Sequence, residues 1–165
     1  MRKEKGFTLI ELLIVVALII IIAAITIPSL IESKINADEA SAVASIRAIS
    51  QAEVQYEAAY SGFADTLENL GGADPCTKSS ATACLLDESL AGGVKAGYNF
   101  AAVGGNPAGG GNTTFVIGAA PVAFNKSGKR MFCATEKNVI RVDPNTSGST
   151  TAPDAQQCAA FGALK

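Results

Sequence analysis

The sequence predicts an α+β protein in which a long N-terminal helix with a protruding apolar half packs against a small antiparallel sheet. Three features of the 165 residues support this fold class. The chain opens on an apolar run, in which 20 of the 25 residues of 7–31 are apolar. No glycine lies between Gly6 and Gly62, and Pro28 is the one proline there, which favours a single helix. Further along, apolar residues recur at every second position, as in half-buried strands.

The apolar run 7–31 is long enough to cross a membrane. As a helix it would span ~37 Å, more than the ~30 Å of a hydrocarbon core. A buried helix of a soluble protein is the alternative, but such helices rarely stay apolar over this length. Residues 1–6 before the run are basic, with Arg2, Lys3 and Lys5. The positive-inside rule keeps them cytoplasmic and predicts export of everything after Ile31.

Residues 32–60 continue the helix as an amphipathic half. We expect this half to pack on the exported domain and Gly62 to end the helix. Six apolar residues at steps of three, four or seven define its buried stripe: Ile35, Ala42, Ile46, Ile49, Tyr56 and Tyr60.

Residues 61–165 form the predicted globular domain, with three or four antiparallel strands. Residues 92–111 hold eight of the 16 glycines and are interpreted as a flexible connection. The Ser/Thr/Gly-rich residues 144–153 are expected to be mobile. The other predicted elements are a short helix at 83–90, strands at 98–102 and 115–121, and a hairpin of 130–134 with 139–142.

All four cysteines stand on the predicted exported side, and their even number favours two disulfides. Three pairings are possible. We favour Cys76 with Cys84, which closes a short local loop, and Cys133 with Cys158, which would hold the C-terminal tail on the sheet. Closing a loop of about 25 residues stabilises a fold by roughly 3 kcal/mol. A zinc site of all four cysteines is the rival, and the sequence has no C-x-x-C pair to favour it.

The sequence contains no histidine, which removes His-based triads, His general bases and imidazole metal ligands. We therefore predict a protein that is not an enzyme and that has no cofactor and no metal. Adjacent carboxylates are interpreted as solvated surface, because neighbours on a helix point in different directions. A weak calcium loop near the C-terminus is an alternative without EF-hand spacing. The carboxylate pairs are Asp38 with Glu39 and Asp87 with Glu88, and the calcium candidates are Asp143, Asn145 and Asp154.

The net charge is −2, so the chain has no global basic field that would attract nucleic acid. One local basic cluster lies around the predicted hairpin. A DNA phosphate patch is one interpretation of this cluster. A solvated face or a docking surface for an acidic neighbour is the favoured one, so DNA is not an expected partner. The cluster consists of Lys126, Lys129, Arg130, Lys137 and Arg141.

The start of the chain carries the most specific motif. An ordinary secretory signal has a small-x-small cleavage site after its apolar region. Here Gly6 stands before the run, in Gly6-Phe7-Thr8-Leu9-Ile10-Glu11-Leu12-Leu13, with a carboxylate five positions beyond it. This string closely resembles the class III signal of type IV prepilins and related pseudopilins.

The resemblance implies processing and assembly of a pilin-like protein. A membrane prepilin peptidase would cut between Gly6 and Phe7, and the Phe7 amine would then be N-methylated. The cleaved leader is 1–6, the run 7–31 anchors the subunit and later forms the filament core, and 61–165 is the exported α+β domain. The implied partners are further copies of the chain in a homo-oligomeric filament, the peptidase/methyltransferase and an inner-membrane assembly platform.

We expect two residues of the run, Glu11 and Pro28, to have roles in assembly. Glu11 would cost on the order of 2.5–3.5 kcal/mol at the centre of a bilayer, and less near an interface. The resemblance implies pairing with the Phe7 amine of a neighbouring subunit, which would set axial register. A tolerated glutamate at the lipid interface is the alternative. Pro28 lacks the N–H that would bond the Ala24 carbonyl, so a kink or short break is expected.

The first interpretation of the sequence is a structural subunit of a type IV pilus. The alternative is a major pseudopilin of a type II secretion system, since both share the N-terminal motif. Either subunit would cross the inner membrane once before assembly and then lie in an extracellular pilus or a periplasmic pseudopilus. A third class, a single-pass membrane enzyme, would retain its leader.

Overall fold

A computed structural model describes residues 6–106 and 109–164 of the chain. Residues 1–5 of the predicted leader lie outside the described residues. The chain divides into two compact units, 1–34 and 35–165. It contains a long apolar N-terminal helix and an antiparallel sheet, which confirms the predicted α+β class.

Helix α1 spans Leu9–Tyr60, close to the predicted limits of Phe7 and Tyr60. It runs through Pro28 without interruption, so of the expected kink or short break the break does not occur, and the kink stays a prediction. The helix ends at Tyr60 as predicted, but Ser61, and not Gly62, takes the left-handed conformation after it, at φ 62°. The Ser61 N–H donates to the carbonyl of Glu57 at 2.8 Å and closes the last turn.

Six antiparallel strands form one sheet whose spatial order follows the chain. The four central strands occupy the predicted positions, and the predicted hairpin is formed by β4 and β5. The two edge strands have two residues each, too short to produce an alternating pattern in the sequence. The strands are β1 Val94–Lys95, β2 Tyr98–Gly105, β3 Thr114–Pro121, β4 Met131–Thr135, β5 Arg141–Asp143 and β6 Gly162–Ala163.

The main core of the unit 35–165 lies between α1 and one face of the sheet. Ile46 and Ile49 of α1 and Ile117 of β3 are fully buried in it. Of the predicted stripe, every residue from Ile35 to Tyr56 is buried, whereas Tyr60 is exposed. The 3.6-residue period therefore predicted this packing correctly along the helix up to its last turn.

The C-terminal segment covers part of the opposite sheet face. Helix α3, Ala155–Ala160, is attached to β4 by the Cys133–Cys158 disulfide. Gly118 of β3 lies directly under Pro153, and a Cβ atom at this position would overlap it. A second small core results, as expected for a tail held by Cys158. It consists of Ala120, Met131, Cys133, Cys158 and Phe161.

Three local predictions are wrong. Helix α2 spans only Glu88–Ala91, because residues 83–86 instead donate their backbone N–H groups to carbonyls of 69–71. Those acceptors lie at the end of a 3₁₀ turn, Leu67–Leu70. In the glycine-rich residues 92–111, where a flexible connection was expected, 94–95 and 98–105 form β1 and β2, while residues 107–108 lie outside the described part of the chain. Asn145 is fully buried and bonds both the backbone N–H and the carbonyl of Ser149, which fixes the segment expected to be mobile.

Candidate processing and assembly site

The predicted cleavage site lies just before the helix. Gly6, Phe7 and Thr8 are exposed and not helical, and α1 begins at Leu9. Phe7 has 86% of its surface exposed. The Gly6–Phe7 peptide bond is therefore accessible in an irregular segment.

Thr8 and Glu11 form a capping box at the start of α1. The Glu11 N–H donates to Thr8 Oγ1 at 3.3 Å, and Thr8 N–H donates to Glu11 Oε2 at 3.0 Å. The Thr8 hydroxyl donates to the same oxygen at 2.6 Å. These bonds satisfy donors that a helix start leaves unpaired. The pattern Thr-x-x-Glu before an apolar run is a known signal for this arrangement, and the sequence analysis missed it.

Only one of the two Glu11 carboxylate oxygens is used in this capping box. Oε2 accepts both Thr8 donors, whereas Oε1 accepts no hydrogen bond within the described part of the chain. Because the side chain is exposed, a second donor can approach Oε1 from outside. The predicted assembly residue is thus held in place while one oxygen stays open.

The apolar surface that follows the cap is exposed along its whole length. The large apolar side chains between Leu9 and Ile31 have from 45% to 76% of their surface exposed. This helix is long and apolar enough to cross a membrane. A continuous apolar surface of this extent marks contact with lipid or with other protein.

Around Pro28, two side chains bond helix carbonyls. Thr26 Oγ1 donates to the Ile22 carbonyl at 3.1 Å, and Ser33 Oγ donates to that of Ser29 at 2.9 Å. Pro28 itself has no N–H to donate to the Ala24 carbonyl. The helix is continuous here, with one backbone hydrogen bond fewer because Pro28 has no N–H.

The structure contains the two disulfides that we favoured, Cys76–Cys84 and Cys133–Cys158. Their surroundings differ. Cys133 and Cys158 are fully buried, whereas Cys76 is exposed and Cys84 is half-buried. The second pair is part of a core, and the first closes the base of a surface loop.

Glu39 is buried, so its interpretation as solvated surface is wrong. It has only 3% of its surface exposed. Its Oε1 accepts the backbone N–H groups of Lys129 and Arg130 at 2.9 and 3.1 Å. Its Oε2 lies 2.7 Å from Arg130 Nε and 2.6 Å from Nη2. Glu39 stands four residues after Ile35, and this position on the buried stripe was the signal in the sequence.

The basic cluster is partly used inside the fold. Arg130 is paired with Glu39, and Arg141 Nη1 donates to the Phe161 carbonyl at 3.1 Å. The charge left for a phosphate or an acidic partner is smaller than the sequence suggested.

The candidate calcium carboxylates have local roles. Asp154 caps α3 by accepting the Gln157 N–H at 2.8 Å, and Asp143 accepts the Asn145 N–H at 2.6 Å. Asp87 likewise caps α2 and pairs with Lys95 at 2.8 Å. The hydrogen bond to Lys95, with smaller contributions from Ser89 and the Leu90 N–H, holds the pKa of Asp87 well below its usual range.

Glu53 is a buried carboxyl that the sequence analysis missed. It is completely buried on α1, and its Oε2 accepts the Ala64 N–H at 2.9 Å. Burial raises the pKa of Glu53 to about 7, and the bond from Ala64 opposes this shift. As for Glu39, the position in the sequence indicated burial, because Glu53 lies four residues after buried Ile49 and so on the same face of the helix.

One family signature and three curated relatives match parts of this chain. The signature described as the prokaryotic N-terminal methylation motif matches residues 1–27. The type IV wide pilus major component PilA4 of Thermus thermophilus is 56% identical over 39 residues, 24% of this chain and 30% of the relative. No solved structure gives a significant match.

Two further relatives are both named type II secretion system core protein G. The Vibrio cholerae protein is 40% identical over 57 residues, 34% of this chain and 39% of the relative. The Dickeya chrysanthemi protein is 31% identical over 70 residues, 42% of this chain and 46% of the relative. The chain thus spans less than half the length of each curated relative it matches, and all three are named as filament or secretion-system components. In its methylation motif, its long apolar helix and the relatives it matches, this chain is similar to type IV pilins and type II secretion pseudopilins.

Proposed function

We propose that this chain is a structural subunit of a type IV pilus, which assembles into a homo-oligomeric filament through the N-terminal part of α1. The proposal rests on one observation. An accessible Gly6–Phe7 bond directly precedes a capped helix whose apolar side chains are exposed. Such a surface needs lipid before assembly and neighbouring subunits afterwards. The subunit would cross the inner membrane once and later become part of an extracellular filament.

Processing comes before assembly in this proposal. A prepilin peptidase removes residues 1–6, and its methyltransferase activity modifies the new Phe7 amine. An inner-membrane assembly platform then moves the subunit out of the bilayer. The other site residues keep the roles assigned from the sequence: Pro28 permits local loosening of the helix, and the cysteines stabilise the exported domain.

Glu11 has the central role in this assembly. Thr8 holds Oε2 in the unassembled chain, and Oε1 remains open to a second donor. The Phe7 amine of an incoming subunit is the donor that we propose, with the pair buried in the filament core. A subunit displaced by one helical turn would bury both charges unpaired, which is costly. The pair therefore fixes the axial register.

Mass spectrometry of the mature protein tests the processing step. The chain should begin at N-methylated Phe7. A Gly6→Val variant should accumulate with its leader attached and should form no filaments. Recovery of normally cut filaments from that variant would contradict the cleavage site, and an intact leader in wild-type protein would favour the membrane-enzyme alternative.

The second candidate function is a major pseudopilin of a type II secretion system. The two core protein G relatives favour it, because they align over more residues than the pilus relative, although at lower identity. Deleting the gene separates the candidates. A pilus subunit predicts loss of surface filaments with secretion unchanged. A pseudopilin predicts that folded cargo stays in the periplasm, and its gene should lie in a secretion operon.

A further inference from the structure

Glu53 is the one carboxyl in the described residues that is fully buried and has a side-chain oxygen without a hydrogen-bond partner. Its Oε2 accepts the Ala64 N–H, but Oε1 has no partner. Ser50, three residues earlier on the same helix face, also has a buried hydroxyl without a partner. A neutral carboxyl tolerates this environment far better than a carboxylate does.

Glu53 bonds the stretch that leaves the helix. Residues 61–66, here called the return segment, turn back after α1 through Ser61 in its left-handed conformation. On one side Ala64 of this segment is held by Glu53. On the other side Phe63 N–H donates to the Asn112 carbonyl at 2.9 Å, and the Asp65 carbonyl accepts the Gly104 N–H at 3.1 Å. The return segment thus joins α1 to β2 and to the start of β3.

The charges near Glu53 do not stabilise its ionised form. The charges that act on the neighbouring side chain of Tyr56 come from Glu53 itself, Tyr60 and Asp65, and all three groups are neutral or acidic. No cationic side chain in the described residues forms an ion pair with Glu53. Burial, and then the charge of Asp65, raises the pKa of Tyr56, which indicates the same apolar and acidic setting. Glu53 is isolated from compensating charge, unlike Glu39.

We propose that Glu53 is a proton-dependent latch, which holds the return segment on α1 when neutral and releases that segment when ionised. A carboxylate at this position must reach water, and the return segment that it bonds borders solvent, because Ser61 and Asp65 are exposed. Opening hinges at Ser61 and breaks the bonds at Phe63, Ala64 and Gly104. The inference is independent of whether the filament is a pilus or a pseudopilus.

The direction of the pH effect follows from the pKa values of the closed and open states. The pKa of Glu53 is about 7 in the closed state and near its ordinary value of 4.5 when the carboxyl is solvated. The closed state therefore binds more protons than the open state. The stabilisation of the closed state by protonation is fully present below about pH 4.5. Opening becomes roughly tenfold more favourable per pH unit up to about pH 7 and then levels off.

Amide hydrogen exchange on the full chain in detergent micelles tests the latch. After correction for intrinsic rates, protection of Phe63, Ala64 and Gly104 should fall at least tenfold between pH 5 and pH 7.5. Protection of Ile117, in the central strand β3, should stay constant, which separates local release from global unfolding. A parallel fall at Ile117, or no fall at Ala64, would overturn the proposal.

Glu53→Gln and Glu57→Gln are the matched variants. Glutamine keeps an acceptor for the Ala64 N–H but cannot ionise, so the pH dependence should disappear in Glu53→Gln. Glu57 is exposed on the same helix, and Glu57→Gln should behave like wild type. Equal pH dependence in both variants would refute the role of Glu53.

A measurement on wild-type protein covers the case in which Glu53→Gln does not fold. Carbon-13 NMR of labelled glutamate carboxyl groups follows the titration of Glu53 directly. The midpoint of that titration should lie near pH 7, the pH at which the loss of amide protection at Ala64 levels off. A midpoint near 4.5 would contradict the proposal, because the closed state would then hold a carboxylate.

Discussion

Helix α1 presents two different surfaces on the two sides of residue 35. From Leu9 to Ile31 its large apolar side chains are exposed, whereas from Ile35 to Tyr56 the apolar stripe is buried under the sheet. The two halves share backbone geometry and differ in what covers them. One half completes its core within the chain, and the other leaves an apolar surface for lipid or for other subunits.

The acidic residues of the two halves extend this comparison. Glu39 accepts four donors within its own unit, so it is satisfied by the fold. Within the described residues, Glu11 accepts donors only from Thr8, one turn away, and one of its oxygens has no donor there. Folding of a single chain therefore supplies hydrogen-bond donors to both carboxylate oxygens of Glu39. Among the residues that the structure describes, it supplies donors to only one oxygen of Glu11. The following predictions separate these two kinds of role.

The largest effect is expected for Glu11→Val on filament formation. The variant removes a charge from the membrane segment, so the unassembled subunit should be at least as stable as wild type. An incoming Phe7 amine would nevertheless be buried without its partner, at a cost of about 3–5 kcal/mol. This corresponds to more than a hundredfold loss at each addition. Tagged wild-type and variant subunits, expressed together, should differ accordingly in sheared filaments.

Two outcomes decide the role of Glu11. Poor incorporation with normal cleavage at Gly6 and normal membrane levels would support the register role. Normal incorporation, with filaments of normal length when the variant is the sole subunit, would falsify it and leave Glu11 as a processing signal at most.

The second effect concerns the disulfides of the exported domain. Replacing Cys133 and Cys158 by alanine opens a bridge across 25 residues and should cost about 3.5 kcal/mol by loop entropy, plus the packing lost in the second core. Replacing Cys76 and Cys84 opens a bridge across eight residues and should cost about 2.5 kcal/mol. Urea unfolding followed by tyrosine fluorescence measures both. Equal losses would contradict the difference between a core and a surface bridge.

The third effect is expected for Glu39→Ala. The change leaves the N–H groups of Lys129 and Arg130 without their acceptor, which should cost about 2–3 kcal/mol in unfolding free energy. The Arg130 side chain is 46% exposed, so its charge stays solvated and adds little to the loss. Asp38→Ala, at the half-exposed neighbouring position, is the control and should change stability by less than about 0.5 kcal/mol. A loss for Glu39→Ala as small as that of the control would mean that the bonds to the Lys129 and Arg130 N–H groups contribute little to stability.

The helix and the central strands were predictable because their signals are local. A period of 3.6 residues identified the buried half of α1, and a period of 2 identified β2 and β3. The turn residues 135–138 indicated the hairpin of β4 and β5, and the cysteine spacing favoured the two bridges that the structure contains. The stripe position of Glu39 indicated burial, but its partner was not predictable, because Arg130 is 91 residues away and belongs to a different element. A carboxylate on an apolar stripe has the same sequence pattern whether or not such a partner exists. The same limit applies to Glu53, whose partner is the backbone of Ala64 after a turn.

The capping box is a different case, because its signal is fully local. Thr8 and Glu11 are three residues apart, and the pattern alone predicts both hydrogen bonds. We assigned Glu11 to assembly and did not consider its role in its own helix. One residue can have both roles, because the cap uses only one of its two oxygens.

The smallest effect is expected for Thr8→Val, which separates the cap from the apolar surface that follows it. Loss of the hydroxyl removes one bond to Glu11 and the acceptor of its N–H, at a cost of about 1 kcal/mol to the helix start. Amide exchange at Leu12 in detergent micelles should then accelerate about fivefold. Thr26→Val, the same change within the helix, is the control and should leave Leu12 unaffected, because the Thr26 hydroxyl bonds only the Ile22 carbonyl. Unchanged exchange in Thr8→Val would mean that the apolar segment begins its helix without the cap.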